Sequence, residues 1–234
     1  PPPVFSQLLT AGKVTEYMIN SLHMLLHRLH RPLLFLLLTL TMATSNNFFV
    51  KMTLAGEGIP NQASFVLRVE PAWAPIGAER FRELVDSKFY DDQRFFRVLD
   101  GMYDIWIAQF GISGNPEIQK DWESKGGLRD DPVKHSNTRG TVSFAMAGKN
   151  TRTTQLFLNF GDCSKVLDGD FAPFARVVSG MEVVDSIFKI GEGAPSGKGP
   201  SQEKINQKGN EYLDDEFPML TKIVSARVVA HSEL

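Results

Sequence analysis

Short apolar stretches dominate the chain from Asn47 onward, and apolar and polar residues alternate in the first two of them, 48–54 and 64–69, which favours β-strands for most of the chain. The pattern predicts strands at residues 48–54, 64–69, 94–99, 106–110, 141–145, 156–160, 171–178 and 223–229. Turn-forming residues at 56–61 lie between the first two of these segments, which indicates a β-hairpin.

Two stretches have a helical period instead. Residues 77–87 and residues 181–189 each place three large apolar side chains on one helical face. Residues 191–200 are rich in glycine and proline and are predicted to form a loop. Many strands with two widely separated amphipathic helices favour a mainly β fold, in which the helices cover the open ends of a barrel.

The segment that precedes the strands has the composition of a secretory signal peptide. Its apolar run, within residues 31–44, is about a dozen residues long, whereas a helix that spans a bilayer needs roughly 20. Arg28 and Arg31 precede this run, and Thr41, Met42 and Ala43 form a small-x-small cleavage site. We interpret residues 24–43 as a signal peptide whose removal leaves no stable membrane insertion, and residues 1–23 as non-native or untranslated upstream sequence. A buried helix is the alternative interpretation of the apolar run.

Residues 231–234, His-Ser-Glu-Leu, resemble the retrieval signal of the endoplasmic reticulum, with serine in place of the usual acid. Together with the signal peptide, this tail predicts the lumen of the endoplasmic reticulum, with secretion as the alternative. Histidines at positions 23, 27 and 30 have helical spacing but belong to the basic start of the signal segment, so no metal site is predicted.

The net charge and the cysteine content bear on nucleic acid binding and on disulfide formation. The formal net charge is −2, so bulk electrostatics favour no nucleic acid partner. The chain has one cysteine, Cys163, which excludes an intrachain disulfide. An inert thiol and a redox-active one both remain open for this residue.

Two segments resemble the signature sequences of the cyclophilins. The first is Phe-Phe-Arg-Val at 95–98 with Ile-Ala-Gln-Phe-Gly at 107–111, and the second is Ser-Phe-Ala-Met-Ala-Gly at 143–148 with Thr-Gln-Leu-Phe at 154–157. The resemblance extends over residues 47–230 and is strongest to the divergent, bacterial-like or algal branch. It implies a closed eight-stranded antiparallel β-barrel capped by two α-helices, and a monomeric peptidyl-prolyl cis–trans isomerase that assists protein folding.

The reaction attributed to this family needs no cofactor and no metal. Rotation about an X–Pro bond has a barrier of about 18–20 kcal/mol because it breaks amide resonance, so a catalyst stabilises the twisted amide. The resemblance implies that Arg97 donates hydrogen bonds to this amide. It also implies that proline-containing polypeptides bind in a groove formed by Trp106, Ile107, Gln109, Ala145, Met146, Ala147, Gln155, Phe157, Val166, Leu167 and Phe171.

The sequence departs from the family pattern at three places. Phe171 stands where many members have histidine. Val166 stands where many have tryptophan, so cyclosporin-type ligands are expected to bind weakly. Residues 102–105 are interpreted as an insertion, which leaves open whether Met102 or Trp106 lines the pocket and threatens the strand register that presents Gln109. The insertion also favours an alternative function, a non-catalytic module that binds proline-containing segments.

Overall fold

Nine strands form one antiparallel sheet in the computed structural model, which describes residues 47–60 and 63–233. The strands are β1 (Phe48–Ala55), β2 (Ser64–Val69), β3 (Gln93–Arg94), β4 (Arg97–Met102), β5 (Ile105–Phe110), β6 (Thr141–Phe144), β7 (Leu156–Asn159), β8 (Pro173–Ser179) and β9 (Lys222–Val229). Seven of the eight predicted strands are confirmed to within two residues at each end, and β1 and β2 form the predicted hairpin.

Helices occupy more of the described chain than the sequence pattern predicts. They are α1 (Pro75–Asp86), α2 (Pro116–Ser124), α3 (Ser164–Leu167), α4 (Met181–Asp185), α5 (Gln202–Lys208) and α6 (Asn210–Glu216), followed by a 3-10 turn at His231–Glu233. The two predicted helices correspond to α1 and α4, although α4 ends four residues before the predicted boundary. The predicted loop at 191–200 contains no helix and no strand.

The prediction of a closed eight-stranded barrel is wrong. The sheet is a curled half-barrel of nine strands with the order β3-β9-β1-β2-β8-β6-β7-β5-β4. The predicted strand at 94–99 is split because the chain changes its neighbour: the Phe95 N–H donates to the Thr221 carbonyl, and the Phe96 N–H donates to the Gln109 carbonyl. The two halves of this segment, β3 and β4, therefore become opposite edges of the sheet.

The same two phenylalanines separate two apolar cores. Phe95 packs in the main core, which lies on the inner face of the curled sheet, whereas Phe96 packs with Ile205 and Leu213 of α5 and α6. Helix α1 adds Phe81 to the main core, where its ring centroid lies 5.1 Å from that of Phe174. Burial of consecutive side chains on opposite sides explains why this segment does not follow the alternating pattern of a half-exposed strand.

A distant carboxylate satisfies the start of α1. The residue before this helix, Ala74, has no side chain that could cap it. Instead the Ile76 and Gly77 N–H groups donate to the two oxygens of Asp131 at 3.0 and 2.9 Å. Asp131 is buried and also pairs with Arg152 at 3.1 Å, so this contact attaches the loop before β6 to α1.

Within residues 47–60 and 63–233, no helix is long and apolar enough to cross a bilayer. The same residues contain no group of three or more His, Cys, Asp or Glu side chains that could hold a metal ion. The interpreted signal peptide and the histidines at 23, 27 and 30 lie outside the described residues.

Candidate functional site

Three neighbouring strands place their signature side chains on the outer face of the sheet. Arg97 of β4 pairs with Gln109 of β5, and Gln109 pairs in turn with Phe157 of β7. Side chains of directly opposed residues point to the same face, so these three form a row across the strands. Leu99 and Ile107 form a second pair on that face, while the intervening residues of each strand face the main core.

The insertion at 102–105 does not disturb this register. It lengthens the β4–β5 hairpin, whose last pair is Met102 with Ile105, and the irregularity in the ladder is confined to the interval between Asp100 and Met102. Tyr103 and Asp104 form the two-residue turn with φ of 60° and 57°, the positive values that a type I′ turn requires. The predicted threat to the position of Gln109 is therefore wrong.

Hydrogen bonds fix the guanidinium of Arg97 on two sides. Its Nε and Nη2 donate to the two oxygens of Glu192 at 2.6 and 2.8 Å, and its Nη1 donates to Gln109 Oε1 at 3.0 Å. The Arg97 side chain is 24% exposed. A guanidinium has five N–H donors, so two of them have no partner among the described residues.

Gln109 continues the polar row toward Gln155. The Gln109 Nε2 donates to Gln155 Oε1 at 2.8 Å, and the Gln155 carbonyl accepts the N–H of Ala145 at 2.9 Å. Beside these groups lies a cavity of about 270 Å³, lined by Gln109, Ala145, Met146, Ala147, Thr151, Thr153, Gln155 and Gln202. Arg97 and this cavity therefore lie on either side of Gln109.

The N–H groups at residues 145–147 differ in what they can offer to a bound peptide. The Ala145 N–H is taken by Gln155, and the Ala147 N–H donates to Thr151 Oγ1 at 3.0 Å. Met146 lies between them, outside any strand, and its N–H has no protein partner among the described residues. Of the three, Met146 is the one that has an N–H free for a ligand.

A packed apolar cluster adjoins the polar row, and we call it the apolar pocket because the sequence resemblance puts the proline-binding pocket at these residues. Its buried members are Leu99, Ile107, Phe157, Cys163 and Leu167, and Ala145, Ile105, Trp106 and Phe171 pack against them. The rings of Phe157 and Phe171 meet edge to face, with centroids 5.3 Å apart. Ile107, Phe157, Leu167 and Phe171 are thus brought together as the sequence resemblance implied.

A buried amide fixes the turn that carries Leu167 and Phe171. Asn137 donates from its side chain to Asp168 Oδ1 at 3.0 Å and to the Phe171 carbonyl at 2.8 Å. The Asp168 carboxylate also accepts the Asn137 N–H at 2.7 Å. Burial by itself would raise the pKa of Asp168, but these hydrogen bonds outweigh it and hold the pKa below its ordinary value of 3.8.

Trp106 lies at the margin of this pocket, whereas Val166 is not among its members. Trp106 belongs to the opposite face of β5 from Ile107 and Gln109, and lines a second cavity of about 320 Å³ with Asp104, Gly161, Asp162 and Lys165. Val166 is 49% exposed on α3. Met102 is 42% exposed and is not among the pocket residues, so the alternative in which it replaces Trp106 is not supported.

The structure places Cys163 inside the apolar pocket. Its sulfur accepts the Trp106 N–H at 3.2 Å. Burial raises the pKa of the thiol above its ordinary value of 9.0, although the hydrogen bond from Trp106 opposes this. A raised thiol pKa disfavours the reactive thiolate, which favours the inert interpretation of this residue.

Glu192 is the site residue that the sequence interpretation missed. It lies in the loop at 191–200, 95 positions from its partner Arg97. The hydrogen bonds from Arg97 lower the pKa of the Glu192 carboxyl below its ordinary value of 4.5, against the effect of burial, and the Gly193 N–H adds to the lowering. The one available signal was that Glu192 is the only acidic residue between Asp185 and Glu203.

The fold of this chain matches that of a solved structure of known class. A "cyclophilin type peptidyl-prolyl cis-trans isomerase" from Cryptosporidium parvum superposes with a TM-score of 0.55 at 17% identity, covering 80% of this chain and 99% of that one. A sequence model of the family described as "Cyclophilin type peptidyl-prolyl cis-trans isomerase/CLD" matches residues 49–210. The chain therefore belongs to the cyclophilin-type peptidyl-prolyl cis–trans isomerase family.

Curated bacterial relatives agree with this assignment. "Peptidyl-prolyl cis-trans isomerase A" of Dickeya dadantii is 32% identical over 136 residues, which are 53% of this chain and 65% of the relative. The "peptidyl-prolyl cis-trans isomerase" of Acinetobacter baylyi is 30% identical over 128 residues, 50% of this chain and 62% of the relative. That of Helicobacter pylori strain J99 is 31% identical over 134 residues, 54% of this chain and 76% of the relative. The chain thus spans somewhat under two thirds of the length of the first two relatives.

Proposed function

We propose that this protein is a peptidyl-prolyl cis–trans isomerase that acts on X–Pro bonds of folding or flexible polypeptides. The observation that carries the proposal is the position of Arg97, whose guanidinium is held by Gln109 and Glu192 beside the apolar pocket of Phe157. Membership of the family and the names of the relatives support the same activity.

Substrate binding divides between the apolar pocket and the polar row. The pyrrolidine ring of the substrate enters the pocket formed by Ile107, Phe157 and Leu167, because burial of an apolar ring is favourable at roughly 25 cal/mol per Å². Gln155 and Met146 line the cavity next to this pocket, and the Gln155 side chain and the Met146 N–H are proposed to bind the peptide backbone. These contacts hold the residues that flank the X–Pro bond while the bond rotates.

The rate acceleration comes from the guanidinium. As the amide twists, its nitrogen loses resonance with the carbonyl and gains a lone pair that can accept a hydrogen bond. Arg97 has two N–H donors without a protein partner among the described residues, and it remains charged at any working pH. Donors that are fixed before the reaction stabilise the twisted state without reorganising, which lowers the barrier.

Two-dimensional exchange NMR on a short prolyl peptide tests this proposal. The native protein is expected to accelerate cis–trans exchange, and Arg97→Ala is expected to lower turnover by about two orders of magnitude while the Phe157 pocket keeps most of the peptide affinity. Arg227→Ala is the matched control, because Arg227 of β9 also forms a two-pronged pair, with Asp91. Full turnover in Arg97→Ala would contradict the assignment of Arg97.

The alternative, a module that binds proline segments without catalysis, has a distinct outcome in the same experiment. Such a module would shift peptide resonances on binding and leave the exchange rate unchanged. The insertion at 102–105 favoured this alternative at the level of sequence, but it alters only the tip of the β4–β5 hairpin. The intact row of Arg97 and Gln109 supports the enzyme.

The finer properties follow from the sequence and from single residues of the site. We propose weak binding of cyclosporin-type ligands because Val166 offers no hydrogen-bond donor, and a monomeric state. We also propose a location in the lumen of the endoplasmic reticulum, with secretion as the alternative. The tail is compatible with recognition by a receptor, since residues 231–233 are exposed.

A further inference from the structure

We infer that Glu192 is a positioning residue for the isomerase reaction: its carboxylate fixes the plane of the Arg97 guanidinium so that the free donors point at the twisting amide. The inference rests on the proposed function. Glu192 is assigned no contact with substrate, and it acts through Arg97 alone.

The geometry of the pair is that of a two-pronged clamp. Arg97 Nε and Nη2 donate to Glu192 Oε1 and Oε2 at 2.6 and 2.8 Å. Two parallel hydrogen bonds between planar groups fix orientation as well as distance, which one hydrogen bond does not. Gln109 then holds Nη1 at 3.0 Å, so rotation about the last bonds of the arginine side chain would break contacts on both sides.

The main chain fixes the carboxylate in turn. Glu192 follows Gly191, whose N–H and carbonyl exchange hydrogen bonds with Val98 of β4 at 2.9 and 3.2 Å. The Gly193 N–H also donates to Glu192 Oε1 at 2.9 Å. Backbone pairing of Gly191 with Val98 therefore holds the next residue, Glu192, close to β4. Val98 directly follows Arg97 in that strand.

A purely stabilising role accounts poorly for this arrangement. The Arg97 and Glu192 side chains are 24% and 17% exposed, and partly solvated ion pairs contribute little net stability. The pair of Arg227 and Asp91 has the same two-pronged form, and its side chains are 43% and 26% exposed. Arg227 belongs to β9, so this pair lies away from the row of Arg97 and Gln109. It supplies a control with matched chemistry.

The first measurement concerns orientation and does not depend on activity. In the native protein the Arg97 Nε–H resonance, assigned by its loss in Arg97→Ala, is expected to have the high order parameter of a rigid group. In Glu192→Gln it is expected to fall below about 0.6, the range of flexible groups. Asp91→Asn should leave it unchanged.

The second measurement separates kcat from KM for a prolyl peptide. Glu192→Gln keeps an acceptor for the Gly193 N–H but loses one of the two acceptors for Arg97. We expect kcat to fall by about tenfold or more, because misorientation of a catalytic donor is costly. KM should stay within about twofold, because the Phe157 pocket is untouched. Glu192→Asp, which keeps the charge on a shorter side chain, should give an intermediate kcat, and Asp91→Asn the native value.

The outcomes separate the inference from the function on which it rests. Loss of turnover in Arg97→Ala with native kcat in Glu192→Gln would overturn the inference and leave the isomerase proposal standing. A rise in kcat in Glu192→Gln would also overturn it, since the carboxylate would then only weaken the guanidinium. Native turnover in Arg97→Ala would overturn both. A fall in kcat together with the lower order parameter, in a variant that remains folded at the assay temperature, supports positioning.

Discussion

Arg97 and Gln109 are directly opposed in the β4–β5 ladder, and the Nη1 of the arginine donates to Oε1 of the glutamine at 3.0 Å. Five residues, 98–102, separate Arg97 from the turn, whereas four, 105–108, separate Gln109 from it, and the irregularity between Asp100 and Met102 absorbs the difference. A shift of one residue in either strand would place one of these side chains in the main core. The orientation of the catalytic candidate therefore depends on how the hairpin accommodates its extra length.

Val166→Trp should increase affinity for cyclosporin-type ligands by about tenfold. An indole at this rim position adds an N–H donor worth about 0.5–1.5 kcal/mol and additional apolar contact. Val178→Trp, at a similarly exposed residue of β8, is the control for a nonspecific effect of the ring. Inhibition constants for the native protein and both variants provide the measurement. Tight inhibition of the native protein would show that the inserted hairpin or another residue replaces the missing contact.

Replacement of the hairpin turn should stabilise the fold. Tyr103 and Asp104 both have positive φ, which costs an L-residue roughly 1–2 kcal/mol. Tyr103→Asn combined with Asp104→Gly gives the preferred residues of a type I′ turn. We expect the free energy of unfolding to rise by about 1 kcal/mol, or about 2–4 °C in Tm for a chain of this size.

Alanine at both turn positions is the matched control for this change, because it removes the exposed side chains and retains the strained backbone. Urea unfolding of the two double variants separates these effects. An equal gain in the alanine variant would mean that the exposed ring of Tyr103, and not its backbone, limits stability.

The contribution of Glu192 to stability should disappear in acid. Because hydrogen bonds from Arg97 hold the folded-state pKa of this carboxyl below 4.5, the ionised form is favoured in the folded state. The stabilisation is therefore fully present above about pH 5 and is lost as the pH falls through the lowered folded pKa. The difference in unfolding free energy between the native protein and Glu192→Gln should be constant from pH 8 to 5 and shrink below it. A difference that grows toward acid would contradict this sign.

Expression from Met24 in eukaryotic cells tests the proposed location. The signal-peptide interpretation predicts loss of the first segment near Ala43, which mass spectrometry of the purified protein would detect. Deletion of residues 231–234 should then increase the secreted fraction, while replacement of the same residues by Lys-Asp-Glu-Leu should retain the protein. Intact protein in the cytosol with residues 24–43 attached would contradict the interpretation.

The sequence was sufficient for most strands because they are short apolar or alternating segments bounded by turn residues. It was insufficient for α5 and α6, where Ile205, Tyr212 and Leu213 are the buried members of two mainly polar helices. It was also insufficient at Phe95 and Phe96, since no pattern shows that consecutive buried rings enter different cores. The resemblance implied a closed barrel, whereas this split leaves β3 and β4 at opposite edges of the sheet.

The candidate site was likewise predictable from the sequence only in part. The apolar pocket was predictable because its members come from recognisable segments, and the structure brings Ile107, Phe157 and Leu167 together. Trp106 was harder to place, because an insertion precedes it and its strand face depends on the bulge near Gly101. Glu192 could not be assigned, because a loop at 191–200 has no periodicity that points its side chain toward Arg97.

The strands β3 and β4 follow each other in the chain but form the two edges of the sheet, and the exposure of these edges bears on aggregation at high concentration. Exposed strand edges are templates on which other chains can polymerise. Here one edge strand has only two residues, Gln93 and Arg94, and the outer side of the other is partly occupied by the pairing of Val98 with Gly191. A sheet with so little unpaired backbone gives a neighbouring molecule a poor surface for growth of a fibril, which suits the proposed action on unfolded chains.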